Sequence, residues 1–229
     1  MTTQIPEDVS ASFEGVLETI DDEIEELATS GGITADTRGD LSVDTLLRIA
    51  RWRSVQSAAL YGEWADQRGL AGLDAEVALA AAWKAGQSVE QYEAAADQLS
   101  SHGVELEPVE YEIHGGTLQY MAGLDDPVAR LTAGFVVAPK LRVVKDKQAT
   151  LVATGSADPQ TASLYRDTIV PPEEAAIERG RRLLARHLDD DPSAIGIVEA
   201  TAADFLDAAW ESQEQAMGET GEVDPKTVC

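Results

Sequence analysis

Apolar residues recur at three- and four-residue spacings along almost the whole chain, the pattern of helices that each bury one stripe. Residues 7–28 carry Phe13, Val16, Leu17, Ile20, Ile24 and Leu27 on one face and a strongly acidic opposite face. The run TSGGITADTRGD (29–40) predicts a loop. Ser42 or Asp44 is placed to cap a second helix, which continues to about Arg68 through Leu46, Leu47, Ile49, Ala50, Trp52, Val55, Ala59 and Leu60. Gly69 and Gly72 break it, and Asp74 opens a third helix that stops near Gly103.

Residues 104–123 are the least helical. The alternation in VELEPVEYEI is strand-like, but Pro108 and the pair Gly115-Gly116 predict an extended connection instead. A fourth helix is expected from Asp126 to about Thr154, kinked or interrupted at Pro139, which has no N–H to give. A fifth runs from near Asp158 to about Leu188 and must negotiate Pro171-Pro172. A last amphipathic helix, about 194–217, carries Ile197, Val198, Ala202, Phe205, Leu206, Ala209 and Trp210, and the tail GETGEVDPKTVC is expected to fray. The expected fold class is all-α.

Two segments echo one another. VQSAALYGEWA (55–65) and PQTASLYRDTI (159–169) each place a glutamine, Gln56 or Gln160, five residues before a tyrosine, Tyr61 or Tyr165. A duplicated helix pair would leave such a trace, and so would ordinary helical-core composition.

Composition narrows the functions. Forty-two acidic residues against seventeen basic ones give a net charge of −25, a surface that repels nucleic acid and anionic membrane. Twelve of the basic residues are Arg and only five Lys. Spread acidity, scarce Lys and few aromatics point to an extreme halophile's cytoplasm, where a Debye length of roughly 3 Å at molar salt screens self-repulsion; an ordinary acidic surface is the plain alternative. The single cysteine, Cys229, makes no internal disulfide. No apolar run reaches the length of a membrane span and no signal-peptide core is present, so a soluble cytoplasmic protein is expected. GxSxG, P-loop and CxxC patterns are absent from the sequence. KLRVVKDKQ (140–148), the basic island, is read as charge balance, with contact to an anionic ligand or acidic partner as the alternative. Trp52, Trp64, Trp83 and Trp210 are read as core or interface aromatics.

Two stretches carry a more specific signal: AGQSVEQYEAAADQLSSHG (85–103) and LYRDTIVPPEEAAIERGRRLL (164–184). They resemble the second and fourth helices of the ferritin-like superfamily, in its rubrerythrin and bacterial diiron oxygenase-like branches. The resemblance covers about residues 44–188. Family members carry Glu-x-x-His on each of these helices, because positions i and i+3 reach one metal. Here Tyr92, Glu93, Glu173, Glu174, Ile177 and Gly180 fit the family pattern, while Ser88/Gln91 and Ala176 stand where ligands would be. Gln56 and Gln160 mark the other two helices' lone glutamates. The resemblance implies a ferritin-like four-helix bundle with a long crossover at 41–190, an acidic helix and loop at 1–40, and a further helix with tail at 191–229.

A diiron or dimanganese centre needs about four carboxylates and two imidazoles. Of the positions Gln56, Ser88, Gln91, Gln160, Glu173 and Ala176, only Glu173 supplies a charged ligand. Neutral amides and hydroxyls instead suit a metal-free centre knit by hydrogen bonds, since clustered buried carboxylates repel one another. The first expectation is therefore a non-catalytic protein without cofactor, acting as a structural, binding or regulatory subunit, as a homodimer or beside a ferritin-like partner. The resemblance makes that role reasonable, since diiron oxygenases of the phenylacetyl-CoA type pair a catalytic subunit with an inactive one. The alternative is an oxidoreductase or iron-handling protein with two Fe or Mn ions on a shifted set, Glu63, Glu90, Glu173 and Glu174. A third is a carrier of a small apolar ligand between the helices. His102 and His187 fall near helix ends and His114 in the crossover, without ligand spacing.

Overall fold

The computed structural model describes residues 7–66, 71–109 and 116–219. His114, Cys229 and the tail from residue 220 lie outside them. Among the described residues the structure is helical, with no strand. Helix α1 spans Glu7–Thr29, α2 Gly32–Asp36, α3 Val43–Ala65, α4 Leu73–Ser101 and α5 Gly116–Ala122. Helix α6 begins as Pro127–Thr132, passes through a π turn at Ala133–Val137 and continues as Ala138–Gly155. Helix α7 is built the same way, from Pro159–Leu164, a π turn at Tyr165–Ile169 and Val170–Asp190. A 3₁₀ turn at Pro192–Ala194 leads into α8, Ile195–Glu219.

The caps follow from sequence. Ser42 Oγ accepts from Thr45 N–H at 3.3 Å to start α3. Asp126 accepts from the Val128 and Ala129 amides to start α6, and Asp158 accepts from Thr161 N–H to start α7. Gly103, at φ +75°, lets the chain turn away after α4.

Two expected connections contain helix. The loop expected at 29–40 holds α2, and the crossover holds α5, whose first residue Gly116 leaves room for Ser212: a Cβ there would sit 2.8 Å from Ser212 Cβ. The prolines act differently from a kink. With no N–H at Pro139 and Pro171-Pro172, the backbone widens by one residue just before each, so Ala138 N–H reaches Ala133 O and Val170 N–H reaches Tyr165 O.

Helices α3 and α4 lie along each other, as do α6 and α7, and α4 packs on α7. Helix α1 packs on α6 and α8, and α5 packs between α3 and α8. One large apolar cluster joins Phe13, Leu17, Ile20, Ile24 and Leu27 of α1 to Leu60, Trp64, Leu131, Phe135, Leu184 and Phe205. Helices α6 and α7 touch backbone-close at Gly180, where a Cβ would lie 2.6 Å from Phe135 O. That approach draws the inner faces of the long helices around a shared polar centre.

Candidate functional site: a buried ion cluster

The centre is held by charges of which the sequence pattern assigned only Glu173. Glu173 on α7 is completely buried, and Lys84 on α4 is 1% exposed. Lys84 Nζ stands 2.5 Å from Glu173 Oε1, and Arg142 Nη1 of α6 approaches the same oxygen at 3.2 Å. The lysine contact is close in distance but bent away from hydrogen-bond alignment, so it acts as an ion pair. Arg142 Nη1 also donates to Ser57 Oγ of α3 at 3.3 Å. Helices α3, α4, α6 and α7 thus all contribute to one cluster.

One turn further along α6, Asp146 is fully buried and accepts from Arg53 Nη2 of α3 at 2.6 Å. Arg53 Nη1 lies 3.9 Å from Asp36 of α2, which Lys145 Nζ also meets at 2.8 Å. Two neighbouring ion groups result, Lys84 and Arg142 on Glu173, and Arg53 and Lys145 on Asp146 and Asp36, together four cations to three anions, with Asp146 also acting on Lys84 through space.

Burial opposes ionisation of Glu173, but Arg142, Lys84 and Gln91 outweigh it and hold the carboxyl below its usual range. Burial pushes the Lys84 ammonium down to about 8 even though Glu173 draws it up. At neutral pH both are charged. Burial also works against the Arg53 guanidinium, but Asp146 and Asp36 more than restore it. The Tyr61 hydroxyl is pushed well up by burial and by Glu173, so it is a donor.

Of the six positions matched to family ligands, Gln56, Ser88, Gln91, Glu173 and Ala176 are buried, at most 1% exposed. The expected network of amides and hydroxyls is only partly formed. Gln91 Nε2 crosses to Ile169 O at 3.1 Å, a carbonyl of the α7 π turn, and Tyr61 OH donates to Gly134 O of the α6 π turn at 2.5 Å. Each widened turn therefore supplies a carbonyl to a side chain of the opposite hairpin. Ser88 Oγ is buried without a hydrogen-bond partner among the described residues. Gln160 is a correction: it is exposed at the start of α7, where Thr161 and Ala162 take the inward positions. Its segment is also the first part of the helix that carries Glu173, whereas VQSAALYGEWA and its downstream segment are separate helices, so the echo does not mark two equivalent pairs. The tyrosines alone correspond. Tyr165 OH donates to Leu46 O at 2.8 Å, much as Tyr61 bonds Gly134 O.

The shifted carboxylate set does not assemble. Glu63, Glu90 and Glu174 are exposed. Glu90 accepts from Gln87 on the same helix, and Glu174 pairs with Lys147 at 3.1 Å on the surface. Three of that set face water because they lie on the polar side of their helices, one position off the buried stripe. Among the described residues no three His, Cys, Asp or Glu side chains are grouped so that they could hold a metal ion. The donors at the centre do not fit a metal pair: the buried carboxylates of Glu173 and Asp146 are each already bound to fixed cations, and adding divalent ions beside Lys84 and Arg142 would set like charges together.

The basic island is not mere charge balance. Arg142 and Lys145 face inward, and with Arg53 they line a cavity of about 330 Å³ between α3, α5, α6 and α8. Trp64 is buried, as expected of a core aromatic, but Trp52 is 36% exposed and borders that cavity. His102 closes α4 by pairing with Asp44 at 2.7 Å and Asp158 at 3.1 Å, which ties it to the starts of α3 and α7.

Lys84 was legible in principle. Val77, Ala80, Ala81, Lys84, Ser88, Gln91, Ala95 and Leu99 form one buried stripe at helical spacing, and the lysine sits in its middle. Compared with known proteins, the chain matches no family model, no curated protein and no solved structure. No helix among the described residues is long and apolar enough to cross a membrane.

Proposed function

We propose that the chain is a non-catalytic, ferritin-like helical bundle in which fixed side-chain charges occupy the place of a metal pair, and that it serves as a structural, binding or regulatory subunit. The observation that carries this reading is the pairing of Glu173 with both Lys84 and Arg142 in the buried centre. The order of the helices supports it too: two long-helix hairpins joined by a crossover, with inward positions Ser88/Gln91 and Glu173/Ala176 at i, i+3 spacing. A carboxylate neutralised by a tethered ammonium and a guanidinium has no charge left to recruit a divalent cation.

The net charge of −25 supports a cytoplasm rich in salt as the setting, and a homodimer or a ferritin-like partner remains the proposed assembly. A second reading, a carrier of a small ligand, is favoured by the cavity beside the cluster. Elemental analysis of protein purified in molar salt tests the main reading. The expected result is iron and manganese far below one equivalent per chain, with an unchanged thermal midpoint on adding ferrous iron. Two equivalents of either metal, with an oxo-bridge absorption band, overturn it.

A further inference from the structure

The ion groups carry one more cation than anions, and three of those cations, Arg53, Arg142 and Lys145, line a cavity. Arg142 has Nε and Nη2 buried without a hydrogen-bond partner among the described residues, and Arg53 has Nε in the same state. Both side chains line the cavity, beside Lys145. The two carboxylates there are spoken for: Glu173 by Lys84 and Arg142, Asp36 by Lys145 and Arg53. The lining holds four cationic side chains, Arg38, Arg53, Arg142 and Lys145, against the two carboxylates of Asp36 and Glu173, and a surplus of positive charge in a partly dry space favours an anion. The opposite walls are of another character. Ile49, Trp52, Met121, Leu141, Pro139 and Phe205 line the rest of the cavity with apolar surface. A space of about 330 Å³ lies within the size range of small-molecule pockets, with a few polar groups at one end to orient an apolar body.

We propose that this cavity binds a medium-length amphipathic carboxylate, its head group on Arg142, Arg53 and Lys145 and its apolar body between α3, α5, α6 and α8. This deepens the carrier reading and rests on it. The anion class follows from charge. On a chain of −25 a free anion is repelled by most of the surface, so a built cationic end inside an apolar cavity is a selective feature. The head-group site is largely buried, with Arg53 and Arg142 at about 15% and 14% exposure, so molar salt screens it less than the surface.

The test is calorimetric titration of the full chain in molar potassium chloride with decanoate, decanol and acetate, Trp fluorescence giving an independent readout through Trp52. Decanoate is expected to bind at least tenfold more tightly than decanol, and acetate not measurably. Lys145→Met is expected to weaken decanoate about tenfold and leave decanol unchanged. Ala216→Trp, which fills the cavity from a half-buried position of α8, is expected to abolish both while leaving the helical circular dichroism intact. Decanoate and decanol binding equally well would overturn the head-group assignment, and no binding by a folded wild-type chain would overturn the site. Metal content measured on the same samples keeps the two proposals apart: stoichiometric iron sinks the metal-free reading whatever decanoate does, and failure of decanoate alone leaves that reading standing.

Discussion

Removing Glu173 and removing Lys84 are expected to have very different costs. Glu173→Gln leaves Lys84 and Arg142 as two buried cations facing a neutral amide, where Lys84 Nζ now sits 2.5 Å from an anionic oxygen. Breaking a buried pair from that side costs about 3–5 kcal/mol. Lys84→Met is milder, because Glu173 keeps Arg142 at 3.2 Å. It also deletes an ammonium that burial has pushed from 10.5 to about 8, a displacement worth on the order of 3 kcal/mol against the charged form. That displacement already includes the attraction of Glu173, so deleting the ammonium removes a net penalty and Lys84→Met should be at least as stable as wild type. In the double variant a single cation, Arg142, is left uncompensated rather than two, so it is expected to be more stable than Glu173→Gln alone by about 1–2 kcal/mol. Urea unfolding at pH 7 in molar salt, followed by far-ultraviolet circular dichroism with linear extrapolation, measures all four corners of the cycle. Equal losses for the two single variants, or losses that simply add in the double, would refute the claim that Glu173 is the keystone anion of this centre.

The same pair sets a pH dependence. Between about 8 and 10.5 the folded chain binds fewer protons at Lys84 than the unfolded chain, so wild-type stability should rise with pH across that window, and Lys84→Met should flatten the rise. Glu173 acts at the other end: its lowered carboxyl contributes stability above the usual carboxylate range that is lost as pH falls through its folded value, and a urea midpoint series from pH 3 to 6 should show that loss diminished in Glu173→Gln. Gly180→Ala should cost about 1–3 kcal/mol, because its new Cβ would meet Phe135 O at 2.6 Å and force α6 and α7 apart. Gly86→Ala, with nothing within 4 Å of the added carbon in α4, should instead raise the thermal midpoint, by up to about 1 kcal/mol of stability.

The helices were legible because their signals are local. Phe13, Leu17, Ile20, Ile24 and Leu27 recur at helical spacing and are all buried, and Ser42, Asp126 and Asp158 cap where hydrogen-bonding side chains precede an apolar run. The effect of Pro139 and Pro171-Pro172 was legible as a disturbance but not in kind, since whether a missing N–H bends a helix or widens one turn depends on the neighbour packed against it. Here Tyr61 and Gln91 each bond a carbonyl of a widened turn, Gly134 O and Ile169 O. The centre was harder. A lysine or arginine in a helix pattern is ordinarily solvated, and only its partner on another helix makes burial tolerable. Lys84 needs Glu173 from 89 positions away, and Asp146 needs Arg53 across 93, distances over which a single sequence holds no pairing information. Gln160 misled for the complementary reason. Its match with Gln56 is one of letters, and the face it occupies is decided by where α7 begins.

A charge carried on a side chain differs from a bound ion in one further respect. The Lys84 ammonium is made at the ribosome with the rest of the chain, so this centre can be complete as soon as the helices close. It cannot be stripped by a chelator, exchanged for a competing element, or moved between oxidation states by oxygen. Whatever the bundle does, the interior contact of Lys84 with Glu173 is indifferent to the iron supply of the cell.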